Sequence, residues 1–184
     1  MSEALDYSLA HAFPLVRSGG AFLMLMGAGL VIGAPVYPFR YIALAIGAAG
    51  GAAALALLAY PLAAPYGPPT LLALTSIAAA IVFEAILLAA FAPRLRNDRA
   101  RTIAVLVIVG AHFIIMAPAF SPLIAVLGVL CLANALAGAL VSAYPMPALW
   151  TIDGLLKIAA GAAMWFAPLL PGDLFGPAFT LLYG

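Results

Sequence analysis

The chain has 184 residues, of which 67% are hydrophobic and only 7% charged, and its net charge is +1. A soluble domain carries about 25% charged residues, so this chain has too few to cover a water-facing surface and is expected to sit in a lipid bilayer. No Lys or Arg cluster interleaves with aromatics as a phosphate-binding groove requires, which excludes a nucleic-acid partner.

At the N-terminus, Leu5, Leu9 and Phe13 recur every four residues, with Glu3 and Asp6 off that line. This is the pattern of a short helix lying in the membrane interface. The acidic start and the lack of a small-residue cleavage site argue against a cleaved signal peptide. Six apolar runs follow, at roughly 17–35, 41–60, 70–92, 102–118, 122–143 and 148–167, each close to the length a helix needs to cross hydrocarbon. They lack the alternation of barrel strands. The predicted fold is therefore all-α: a bundle of six transmembrane helices forming one domain over 1–184, with interfacial tails at 1–16 and 169–184. The short links predict that consecutive helices are antiparallel neighbours.

The first two runs carry Gly29-x-x-x-Gly33 and Gly47-x-x-x-Gly51. Small residues four apart let backbones approach closely, and packing within the chain is favoured over a homodimer contact. The third run places Ser76, Ala80 and Glu84 on one face. The loop after it holds Arg94, Arg96, Arg99 and Arg101, Arg40 falls in the other loop on that side, and Arg17 lies opposite. By the positive-inside rule the 93–101 loop is cytoplasmic and both termini face outward. Contact with anionic lipid headgroups is a second use for the four arginines. The fourth run carries His112, the fifth Cys131 and Asn134, and the sixth Asp153 and Lys157. Pro118 and Pro122 are expected to bound helices four and five. Cys131 reads as a small buried hydrophobe. In the tail, Phe175, Phe179 and Tyr183 repeat the four-residue spacing of an interfacial segment.

The polar residues inside these runs are the candidate site. At 1.5 Å per residue, Glu84, His112, Asn134, Asp153 and Lys157 lie about 12, 15, 13, 8 and 14 Å from the cytoplasmic ends of their helices. Five polar side chains on four helices thus share one slab of the membrane. Each costs several kcal/mol in lipid, so they are expected to face one another. Asp153 and Lys157 are spaced i, i+4 with the acid first, the favourable order for an ion pair. Glu84 then has three options: sharing Lys157, binding His112, or being neutral, the cheaper buried form of a carboxyl. An acid that alternates between such states, beside an imidazole, is a proton carrier. Asn134 either bonds across helices or orients a ligand. No metal site is expected, because His112 stands alone at its depth. No cofactor is expected either. Phosphate loops, nucleophile motifs and zinc helices are absent, which argues against an enzyme.

Three ordered motifs, Gly110-x-His112-Phe113, Cys131-x-x-Asn134-Ala135-x-x-Gly138 and Asp153-Gly154-x-x-Lys157, span residues 102–167. Together they resemble an uncharacterised family of small polytopic bacterial membrane proteins. That resemblance implies a bacterial inner membrane and no particular mechanism. The expected role is a small-solute or ion-binding protein, as in a proton-linked transporter, with helices three to six around a polar pocket. The alternative is a structural or assembly subunit that binds a membrane-protein partner.

Overall fold

The computed structural model describes residues 13–36, 39–91, 94–95 and 97–166. The predicted interfacial tails, apart from the stretch beginning at Phe13, and the side chain of Arg96 lie outside the described residues. Among those described there are six long helices and no strand: α1 (Val16–Gly33), α2 (Phe39–Ala63), α3 (Leu71–Phe91), α4 (Asp98–Phe120), α5 (Pro122–Leu140) and α6 (Met146–Phe166). A single 3-10 turn, Ala64–Tyr66, follows α2. All six are long and apolar enough to span a membrane, so the chain is a multi-pass membrane bundle, as composition requires.

Helix ends depart from the sequence reading where capping chemistry intervenes. Helix α4 starts at Asp98, not near 102, because the Asn97 side chain accepts bonds from the backbone N–H of Arg99 and Ala100, with an acid in the first turn. It also runs through Pro118 to Phe120. A proline near a C-terminal end removes one backbone bond without stopping the helix. The break falls at Ser121, whose backbone is extended, and Pro122 opens α5.

Glycines decide which helices meet. A Cβ on Gly20 would lie 2.6 Å from the Gly161 carbonyl oxygen, and one on Gly27 would lie 2.5 Å from that of Gly154. These two pairs, seven residues apart on each helix, lock α1 against α6 in antiparallel register. Gly29 and Gly47 face each other in the same way across α1 and α2. The two expected small-residue motifs therefore serve packing within the chain. Gly128 on α5 approaches the Gly110 carbonyl of α4.

The helices follow one another in space as α2, α1, α6, α5, α4, α3, with a slight α1–α4 contact across the middle. Here the structure differs from the expectation that every consecutive pair is packed: α2 and α3 make no extensive contact. Glycine contacts pull α2 onto α1, while α3, which has no glycine, lies on α4 through the small face Ala73, Ser76 and Ala80. The long proline-rich link between them lets the two helices part. Within the spanning windows, 56% of α1 is buried but only 11% of α2 and 17% of α3. Helix α1 is thus central, and α2 and α3 present most of their surface to lipid. The main apolar core collects Leu23, Val109, Phe113, Phe120, Leu127 and Met164 from α1, α4, α5 and α6.

Candidate polar site within the bundle

The five polar residues resolve into three groups on neighbouring helices. In the first, α3 and α4 bring Glu84 and His112 together: His112 Nδ1 lies 2.5 Å from Glu84 Oε2. The oxygen is off the line of a straight hydrogen bond, since Nδ1 is buried without an aligned partner. The contact is a close charge-pairing approach. Glu84 continues the small face of Ser76 and Ala80, so the acid arrives at α4 on the side where the two helices are tightest. Of the three options the sequence left open for Glu84, the imidazole is the partner the structure provides. Its side chain is 29% exposed and that of His112 11%, so this pair is not sealed.

The second group is Asp153 and Lys157. They form an ion pair within α6 through Oδ2 and Nζ, and their side chains are 1% and 0% exposed. The ammonium also donates to Cys131 Sγ of α5 at 3.7 Å. It stands 5.4 Å from the centroid of the Phe113 ring of α4, a cation–π distance. The second carboxylate oxygen, Oδ1, is buried with no partner among the described residues. Cys131 is buried as expected, and it also gives Lys157 a soft acceptor, a contact its apolar surroundings in the sequence did not signal.

In the third group, Asn134 on α5 donates from Nδ2 to the Leu149 carbonyl of α6 at 3.0 Å and accepts from the Tyr144 hydroxyl at 3.0 Å. Both ends of the amide are used, so it ties the α5–α6 turn together. Tyr144 was not singled out in the sequence. It lies in the link and meets Asn134 only when the chain reverses.

No bond joins these groups. Phe113 lies between the first two: its ring packs edge-on to its neighbour His112 and presents a face to Lys157. The polar residues share a slab, as depth predicts, but not one pocket.

The arginine cluster is engaged with the bundle. Arg99 donates to the carbonyls of Tyr144 at 2.8 Å, Gly138 at 2.6 Å and Val141 at 2.7 Å, which caps the carbonyl end of α5. Arg101 bonds the Leu95 carbonyl at 2.8 Å and faces Asp98 at 3.9 Å. Arg94 bonds the Ala90 carbonyl. Nearby, the Tyr41 hydroxyl of α2 donates to Asp98 of α4 at 3.4 Å, and its ring meets Trp150 of α6 edge-on. The starts of α2, α4 and α6 thus lie on one membrane face, the alternation that six crossings require. Among the described residues no three His, Cys, Asp or Glu side chains gather into a metal site.

No curated protein and no solved structure matches the chain. A family model does match, over residues 8–169, and that span covers every helix and all five polar residues. The chain, a membrane-embedded helical bundle with a buried polar network, belongs to the family of unknown function DUF6609.

Proposed function

We propose that the protein is a proton-linked membrane protein of the bacterial inner membrane, a small-solute or ion transporter in which Glu84 and His112 exchange the proton. The observation that carries this reading is the 2.5 Å approach of the His112 imidazole to the Glu84 carboxylate, with both groups partly exposed. A carboxyl and an imidazole in contact can hold one proton in two places, and moving it changes the charge presented to a ligand. The chain acts as one domain, with the 94–101 loop on the cytoplasmic side by the arginine excess.

Asp153 and Lys157 take a different part. Their complete burial and the absence of a described cavity beside them favour an internal ion pair that fixes α6 against α4 and α5. Asn134, with both amide ends bonded inside the chain, is likewise a packing residue. That same observation supports the second reading, a structural subunit whose polar residues are internal glue.

The test is proton movement in sealed vesicles carrying a pH-sensitive dye, challenged with ions, amines and organic acids. The proposal expects at least one solute to drive a pH change with wild type, and expects Glu84→Gln to abolish it while the variant stays folded. A pH change of equal size with Glu84→Gln, or none with any solute, favours the structural reading.

A further inference from the structure

The His112 ring also forms part of the wall of a cavity of about 340 Å³. The walls come from α1, α2, α3 and α4, with Ile124 from α5. Phe22, Leu55, Ile81, Phe113 and Phe120 are representative, and His112 is the one polar side chain among them. The cavity occupies the side of the bundle where α2 and α3 do not pack together. It shares Leu15 and Ala59 with a second cavity of about 420 Å³ that reaches Tyr60, Gly67 and Pro69 at the end of α2. The space is thus elongated, apolar and placed beside lipid.

Three properties define what fits. The volume lies within the range of ligand pockets, about 300–1,000 Å³, and apolar cavities well below this size stay dry and take up small apolar molecules. The aromatic walls suit a flat ring. The polar contact lies deep in the hydrocarbon, where a charged phospholipid headgroup would cost several kcal/mol, so the ligand's own polar group must be neutral. Because Nδ1 of His112 is buried against Glu84, the exposed part of the ring is its far edge, which carries Nε2. A carboxylate beside Nδ1 favours the tautomer with the proton on Nδ1 and leaves Nε2 as an acceptor.

We infer that this cavity binds a lipid-soluble ring bearing a hydroxyl group, of the prenylated hydroquinone class, which enters between α2 and α3 and donates its hydroxyl to His112. The inference deepens the reading of Glu84 and His112 as a proton-exchanging pair and rests on it for the head group, while the apolar walls stand apart from it. The ring lies against the phenylalanines, and the tail runs toward Leu15 and Ala59.

The experiment measures equilibrium binding of a decyl-substituted hydroquinone, its dimethyl ether and a ring-less decyl alcohol to the full chain in nanodiscs. Wild type should bind the hydroquinone saturably and about tenfold more tightly than the ether, the difference one hydrogen bond makes. His112→Phe should lose that preference while still binding both ring compounds. Ala56→Phe, which pushes a ring into the cavity from the exposed side of α2, should weaken both at least tenfold. Glu84→Gln, by relaxing the tautomer, should narrow the preference for the hydroquinone. Equal binding of the decyl alcohol would make the cavity an acyl-chain site and overturn the inference, as would non-saturable partitioning or insensitivity to Ala56→Phe. The vesicle test separates the two readings. Selective hydroquinone binding without solute-driven proton movement retains this cavity and removes transport; the reverse result removes the hydroquinone and retains the proton pair.

Discussion

A lysine with no exposure in the middle of a membrane protein survives only because an acid one turn away neutralises it. Removing either partner leaves a buried charge, at a cost of about 3–5 kcal/mol, whereas replacing both by apolar side chains of similar volume is often neutral. Lys157→Met alone should therefore lower stability by that amount, and Asp153→Leu combined with Lys157→Met should recover most of it, as thermal unfolding in nanodiscs would show. Tyr144→Phe, which takes one bond from Asn134, should cost only about 0.6–1.7 kcal/mol, the range of polar contacts between helices in membranes. The i, i+4 spacing of Asp153 and Lys157 made that pair legible in the sequence, and shared depth brought Glu84 and His112 into consideration together. The partners of Asn134 and Lys157 were not legible. Tyr144 and Phe113 reach them through tertiary packing, and spacing along one helix carries no information about that.

At the level of elements, glycine does for this bundle what large apolar side chains do in water. Lipid is as apolar as leucine, so helices associate through close backbone approach. Gly27→Leu would drive a side chain into the Gly154 carbonyl and should separate α1 from α6, with a stability loss beyond the about 1–3 kcal/mol typical of overpacking. Gly50 has no atom within 4 Å of an added Cβ, so Gly50→Ala should be neutral or gain up to about 1 kcal/mol from helix propensity. Unfolding of the two variants side by side checks both. At the carbonyl end of α5, Arg99→Met should loosen the α5–α6 turn by about 1–3 kcal/mol, since it leaves three carbonyls uncapped. The sequence located all six helices because runs of twenty apolar residues have few other uses. It misplaced the start of α4 because a cap at Asn97 extends the helix into a polar segment that composition assigns to a loop.

For the whole molecule, the spatial order of helices is the feature least visible in the chain. Short links suggest that neighbours in sequence are neighbours in space, yet α2 and α3 part, and the gap between them exposes His112 to an apolar cavity. Contacts of α1 with both α2 and α6 determine this arrangement, and glycine positions in three separated helices had to be matched to foresee it. The glycines were visible; their pairing was not. The proposed orientation is testable at the same scale. Cysteine introduced at Asn97 should react with impermeant thiol reagents only from the cytoplasmic side, and cysteine at Pro68 only from the other. Cys131 is buried and should give no background.

The account depends most on the claim that Glu84 and His112 share a titrating proton. Infrared difference spectra of the protein in nanodiscs, taken across a pH step, read carboxyl protonation directly. The account predicts a carboxyl band that appears on acidification, disappears in Glu84→Gln and shifts in His112→Gln. A spectrum that retains the same band in both variants, or shows no carboxyl change in wild type, would contradict it.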